Sequence, residues 1–216
     1  MLKLLAVVGT RPEAIKMAPL VVALRKRAGE FEVVLALTGQ HREMARQGLA
    51  AFGLKGDCDL DIMEERQELA RTFCRAMSGL VGVYREVKPA LVLVQGDTVS
   101  CLAAGLAAFY EGIPVGHVEA GLRTGDRFNP FPEEVNRKAV AAATTLHFAP
   151  TERAEKALLQ EGYPPSEVFL TGNTVVDAVL WLAGSNRPIC AEVEAALEAA
   201  AGYKMVLVEL HRRENW

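Results

Sequence analysis

The sequence predicts an α/β fold, a Rossmann-like parallel sheet with helices on both faces, from three observations. Short apolar runs of strand length recur at residues 4–8, 33–37, 91–94, 114–118, 146–149 and 168–170, the pattern of strands buried on both faces. Segments with helical periodicity lie between them, and strands that alternate with helices form right-handed βαβ units. Polar residues gather just after the runs, at Arg11, Gln40 and His41, Asp97, Glu119 and Asn173, where parallel sheets bind ligands outside the carboxyl ends of their strands.

The elements follow in order. Residues 4–8 form an apolar run bounded by Gly9. Met17, Val21 and Leu24 then mark one helix face, with Arg25, Lys26 and Arg27 at its end. Pro19 lies inside this segment, so a short turn followed by the main helix is expected. Residues 33–37 are the second strand, and residues 60–62 a weak third. Leu69, Phe73, Met77, Leu80 and Tyr84 repeat at helical spacing until Lys88-Pro89. Residues 91–94 make the central strand, an Ala-rich helix runs to Tyr110, and residues 114–118 make the next strand. Helix is expected over 133–143, strand over 146–149, and helix over 151–161 with Thr151 as its cap. A strand at 168–170 and a helix at 174–182 follow. Residues 184–188 have linker composition, leading to a helix over 191–201 and a strand over 205–210. The expected division is a Rossmann-like domain over 1–184, with 185–216 opening a second domain.

The chain has 216 residues, half of them hydrophobic, enough for one full core. A net charge of −3 supplies no basic footprint for nucleic acid. Cys58, Cys74, Cys101 and Cys190 are scattered without a C-x-x-C pair, which fits reduced thiols in a cytoplasmic protein. The first apolar run is interrupted by Lys3 and is too short for a membrane span or a signal peptide. There is no dinucleotide fingerprint, P-loop or nucleophile elbow, and the four histidines lack metal-ligand spacing. No cofactor and no metal are expected.

The chemistry is carried by a basic pair and three carboxylates. Arg11 and Lys16 follow Gly9-Thr10, where backbone amides opening a helix suit a phosphate or diphosphate; a solvated surface loop reads equally well. Asp97 stands after the most apolar strand, where it either reacts or caps the next helix. Glu119 follows Val118 directly and either reacts or pairs with Arg123. Glu133 follows Pro132 and either reacts or complements the helix dipole. Three carboxylates at one sheet edge repel, and such repulsion separates acid from base roles. His117 and His147 read as satisfied core residues, and His211 as a surface histidine or a catalyst.

Read together, these motifs resemble a known family, the non-hydrolysing bacterial UDP-N-acetylglucosamine 2-epimerases. The resemblance rests on Gly9-Thr10-Arg11-Pro12-Glu13-Ala14-Ile15-Lys16, Thr38-Gly39-Gln40-His41-Arg42-Glu43-Met44 and Gly96-Asp97-Thr98. It continues through His117-Val118-Glu119-Ala120-Gly121-Leu122-Arg123, Pro132-Glu133-Glu134, Thr171-Gly172-Asn173-Thr174 and His211-Arg212-Arg213-Glu214-Asn215. It implies half of a glycosyltransferase-B-like two-domain fold, with the active site in the cleft between the domains. It also implies interconversion of UDP-N-acetylglucosamine and UDP-N-acetylmannosamine for surface polysaccharide precursors, by elimination and re-addition of UDP. Asp97, Glu119, Glu133 and His211 match catalytic positions, and Arg11 and Lys16 match substrate-binding positions. Gln40, His41, Arg66 and Gln67 match the site of a second UDP-N-acetylglucosamine, an allosteric activator, although Glu43 stands where some members carry Gln. A homodimer is implied for the full-length protein. The family continues through a second domain, so this chain alone is expected to lack turnover. The competing expectations are a hydrolysing relative that releases N-acetylmannosamine and UDP, and a non-catalytic nucleotide-sugar-binding module.

Overall fold

The computed structural model describes residues 1–40, 42–63, 68–185, 190–206 and 208. The chain divides into a unit over Met1–Trp181 and a unit over Leu182–Trp216. The first is built on seven parallel strands: β1 (Leu2–Val8), β2 (Phe31–Leu37), β3 (Cys58–Asp59), β4 (Leu91–Gln95), β5 (Val115–Val118), β6 (Leu146–Ala149) and β7 (Val168–Leu170). Their order is β3-β2-β1-β4-β5-β6-β7. The chain builds outward from β1 in one direction, then returns to build outward in the other. β1 and β4 therefore flank the switch point, where their carboxyl ends open a crevice.

Helices α1 (Arg11–Arg25), α2 (Arg42–Ala50), α3 (Leu69–Val87), α4 (Val99–Tyr110), α5 (Glu133–Ala142), α6 (Glu152–Gln160) and α7 (Thr174–Ala183) follow the strands. Alternate residues of β1 serve two cores, as a period of two requires. Ala6 and Val8 pack with Met17, Val21, Leu35 and Leu49. Leu5 and Val7 pack with Leu80, Tyr84, Val92, Ala104 and Val140. The small residues of α4 let neighbours approach closely: a Cβ on Gly105 would stand 2.6 Å from Cγ2 of Val140. Among the described residues no helix is long and apolar enough to cross a membrane.

Several elements differ from expectation, each for a local reason. Helix α1 begins at Arg11 and runs through Pro19 without a preceding turn. Pro12 and the Glu13 carboxylate organise its first turn, and Ala14, Met17, Ala18 and Val21 bury one face on both sides of Pro19. Packing outweighs the missing N–H. Strand β3 is Cys58–Asp59 rather than 60–62, because Asp61, at φ 51°, turns the chain away. The buried ridge of α3 is Thr72, Ala76, Leu80 and Tyr84, while Leu69 is exposed. Lys88, at φ 51°, ends that helix before Pro89 as expected. Thr151 caps α6, accepting from the Ala154 amide at 3.2 Å.

The second unit contains helix α8 (Ala191–Ala199), shorter than the expected 191–201 and with no buried residue. Half of the strand expected over 205–210 lies outside the described residues; Met205, Val206 and Val208, which are described, carry no strand.

His117 and His147 are register partners on β5 and β6 and are fully buried. Nε2 of His117 lies 2.7 Å from the Gly96 carbonyl. His147 differs from the expected satisfied histidine: neither ring nitrogen has a partner among the described residues, and its ring lies 4.4 Å from that of Tyr163. Burial pushes both imidazoles down to about 4 from the ordinary 6.5. A histidine held neutral in the folded state binds fewer protons than the unfolded chain between these values. Its contribution to stability is therefore complete above about pH 6.5 and is lost as the pH falls toward 4. Replacing His147 by Phe removes two unpartnered nitrogens and should stabilise the protein at pH 7 by about 1–2 kcal/mol. The advantage over wild type should grow by up to about 3 kcal/mol as the pH drops from 6.5 to 4. Urea denaturation at several pH values measures both effects.

Candidate active site

Lys16 on α1, Asp97 in the turn after β4, Glu119 after β5 and Glu133 at the start of α5 all follow the carboxyl ends of strands of the sheet. Lys16 lies two turns into α1, and its Nζ stands 2.7 Å from Oε1 and 2.6 Å from Oε2 of Glu119. Glu119 thus pairs with Lys16 rather than with Arg123, which forms a two-pronged pair with Glu161 at 2.8 and 2.7 Å. Glu119 directly follows β5 at φ 64°, a left-handed conformation rare for a side chain with a Cβ. Holding it there costs about 1–3 kcal/mol, which the surrounding contacts must supply. The conformation turns the carboxylate out of the strand toward α1.

Asp97 is held by α5. Its Oδ2 lies 2.5 Å from Nη2 of Arg137, and its carbonyl accepts from Nδ2 of Asn136 at 2.9 Å. Capping of α4 falls to Thr98, whose hydroxyl accepts from the Cys101 amide at 3.0 Å. Asp97 is thereby released from the structural alternative. Arg137 also reaches Glu134 at 3.2 Å. Glu134 is buried and accepts from the amides of Thr124 and Gly125 at 3.0 and 3.2 Å. Burial works against its charge, but those amides and Arg137 outweigh it and hold the carboxyl below its usual range. The Glu119–Glu133 loop is thus tied at its middle to the first turn of α5.

Glu133 is the first residue of α5 and is half-buried; among the described residues its Oε2 has no hydrogen-bond partner. Such an acceptor can take a hydrogen bond from a ligand hydroxyl. The expected repulsion among the three carboxylates is relieved by Lys16 against Glu119 and Arg137 against Asp97.

The helix N-terminus expected to take a phosphate is already occupied. The buried Glu13 carboxylate accepts from the amides of Gly9 and Thr10 at 2.9 and 2.7 Å and from the Thr98 hydroxyl at 2.6 Å. Burial raises its carboxyl above the ordinary value against these hydrogen bonds. Arg11 remains exposed at the start of α1, so an external anion would meet its side chain and not the Gly9 and Thr10 amides.

Gln40 lies at the mouth of β2, where its side-chain carbonyl accepts from the Ser100 hydroxyl at 2.7 Å; Ser100 in turn lies 2.8 Å from the Thr38 hydroxyl. Asn173 caps α7, accepting from the Val175 amide at 3.0 Å. His41, Arg66, Gln67 and His211 lie outside the described residues. Among the described residues no group of three His, Cys, Asp or Glu side chains is placed to hold a metal.

Glu13, Glu134, Asn136 and Arg137 were not singled out from the sequence. Thr10 and Glu13 have the spacing of a capping box, and Arg137 lies three and four residues beyond Glu134 and Glu133 on one helix. Both signals were readable. Replacing Glu13 by Ala strands two amides and a hydroxyl and should cost about 2–4 kcal/mol. Glu13→Gln, which keeps an acceptor oxygen, should cost less than half as much by urea denaturation.

Comparison with known proteins places the chain in a family. A family model described as UDP-N-acetylglucosamine 2-epimerase matches residues 23–216. The chain is 49% identical over 222 aligned residues to the UDP-N-acetylglucosamine 2-epimerase of Escherichia coli K12, covering all of this chain and 58% of that protein. The Neisseria meningitidis enzyme bound to UDP-GlcNAc superposes with a TM-score of 0.79 at 48% identity, over 83% of this chain and 49% of that one. The Methanocaldococcus jannaschii UDP-GlcNAc 2-epimerase gives a TM-score of 0.80 at 33% identity, over 99% and 57%. The chain spans little more than half the length of these proteins. On sequence and fold alike, it belongs to the UDP-N-acetylglucosamine 2-epimerase family.

Proposed function

We propose that this chain supplies the carboxylate half of a non-hydrolysing epimerase that interconverts UDP-N-acetylglucosamine and UDP-N-acetylmannosamine. The observation that carries the reading is the pairing of Lys16 with Glu119 and Arg137 with Asp97, while the enclosed Glu133 oxygen has no partner among the described residues. The hydrogen on C2 of the sugar has no neighbouring carbonyl to acidify it, so direct removal and return of a proton is too costly. Elimination of UDP across C1–C2, followed by protonation of the other face and re-addition of UDP, avoids that carbanion. Each step needs a positioned acid or base. Asp97, Glu119 and Glu133 supply them in this reading, with Arg11 and His211 contacting the nucleotide-sugar. Lys16 alternates between Glu119 and the leaving diphosphate.

The reading divides the protein at about residue 184 into a Rossmann-like domain and the beginning of a second, glycosyltransferase-B-like partner domain. That second domain supplies the remaining contacts to uridine and diphosphate. Gln40 joins His41, Arg66 and Gln67 in a site for a second UDP-N-acetylglucosamine, and the full-length protein is a cytoplasmic homodimer.

The test is incubation with UDP-N-acetylglucosamine in D2O, followed by NMR of the products. The full-length protein should yield UDP-N-acetylmannosamine with deuterium at C2, and the 216-residue chain alone should give no turnover. Asp97→Asn, Glu119→Gln and Glu133→Gln should each lower kcat by about 10²–10⁴-fold, the range of a lost general acid or base. Accumulation of free UDP and N-acetylmannosamine would instead establish a hydrolase. Binding without exchange at C2 would establish a non-catalytic module.

A further inference from the structure

We infer that His117 is a positioning residue for Asp97, and that β5 sets the two carboxylates Asp97 and Glu119 in register from a single strand. The inference rests on the epimerase reading only for what Asp97 does; the geometry stands apart from it.

The carbonyl of Gly96 belongs to the peptide that enters Asp97. Whatever fixes that carbonyl fixes the plane of the peptide, and with it the direction in which the Asp97 side chain leaves the backbone. Gly96 stands at φ 73°, a conformation that a residue without Cβ adopts at little cost. The turn therefore depends on its hydrogen bonds more than on its own backbone preference. The Gly96 amide donates to the Val118 carbonyl at 3.0 Å. The Gly96 carbonyl receives Nε2 of His117 at 2.7 Å and Sγ of Cys101 at 3.4 Å. Both ends of this glycine are thus held, chiefly by adjacent residues of β5.

A carbonyl oxygen only accepts, so Nε2 of His117 must carry the hydrogen. Its Nδ1 is buried without a partner among the described residues, and the ring is neutral, in keeping with full burial beside His147. Of the two donors the imidazole is the shorter and the more polar; a thiol is a weak donor. Glu119 follows β5 directly, two residues beyond His117. A displacement of β5 therefore carries Glu119 and the anchor of Asp97 together, which keeps the two carboxylates matched.

Three measurements decide the inference. In the wild-type chain, 15N NMR of His117 should show the Nε2–H tautomer; an Nδ1–H tautomer overturns the proposed hydrogen bond. A crystal structure of His117→Leu should show the Gly96–Asp97 peptide rotated and Asp97 parted from Arg137, with the Lys16–Glu119 pair in place. An unmoved Asp97 overturns the inference. In the full-length protein, His117→Leu should lower kcat by about 10–100-fold with KM within about twofold, as expected for a reacting group misplaced by about an ångström. His117→Gln, whose amide can donate from nearly the same point, should recover kcat to within about threefold of wild type. Equal losses in both variants, tracking only the fall in Tm, mean that His117 is a core residue and no more. If the wild-type protein performs no chemistry at C2, the functional reading fails, while the tautomer and the crystal structure still decide the positioning role. Should His117→Leu not fold, the wild-type tautomer and the Gln variant decide it.

Discussion

The pairing of a cation with a carboxylate at the carboxyl edge of the sheet is the constraint on which the site depends. Asp97 and Glu119 follow the neighbouring parallel strands β4 and β5, and Glu133 opens the next helix, so the topology gathers their charges at one end of the sheet. Like charges that face one another across a partly buried crevice destabilise the fold unless something intervenes. Lys16 from α1 and Arg137 from α5 intervene from opposite sides. The sheet order makes this possible. With β1 and β4 adjacent and β5 next, α1 reaches the site from one flank and α5 from the other.

The second constraint is how tightly the turns are packed beneath the charges. A Cβ on Gly9 would fall 2.1 Å from the Ser100 hydroxyl and 2.7 Å from that of Thr38, so only glycine fits where the loop after β1 passes α4. The same contact lets Glu13 receive the Gly9 and Thr10 amides and the Thr98 hydroxyl at once. Thr98 follows Asp97 directly. The first helix and the Asp97 turn are therefore joined through a buried carboxylate, and Gln40 is joined to the same turn through Ser100. These side chains occupy polar groups that would otherwise be open to a ligand, and they give the turn one geometry.

The strands and most helices were legible in the sequence because each is a short apolar run or an amphipathic repeat, signals that survive any tertiary context. The misreadings have a common origin. Pro19 argues locally for a helix start, but the face formed by Met17 and Val21 buries the residues on both sides of it. Residues 60–62 look like a strand, yet Asp61 leaves the extended region. His147 reads as a satisfied core residue because burial is encoded in its neighbours, whereas hydrogen-bond satisfaction depends on what other strands place nearby. At the site, the carboxylates were visible from their positions at strand ends. Their partners were not, since neither the pairing of Lys16 with Glu119, 103 residues apart, nor that of Arg137 with Asp97 leaves a local pattern. The Gly9 and Thr10 amides, which read from the sequence as open to an anion, instead receive one that the chain supplies itself, the Glu13 carboxylate.

The central claim is that the three carboxylates, spaced by Lys16 and Arg137, surround the reacting carbon of the sugar. A crystal structure of the full-length protein with UDP-N-acetylglucosamine tests it most directly. The account predicts that C2 and its neighbouring oxygens lie within about 3.5 Å of carboxyl oxygens of Asp97, Glu119 and Glu133, the range of a reactive arrangement. It also predicts that the enclosed Glu133 oxygen acquires a ligand partner and that Lys16 turns toward the diphosphate. A sugar bound away from all three carboxylates, with both ion pairs undisturbed, would contradict it.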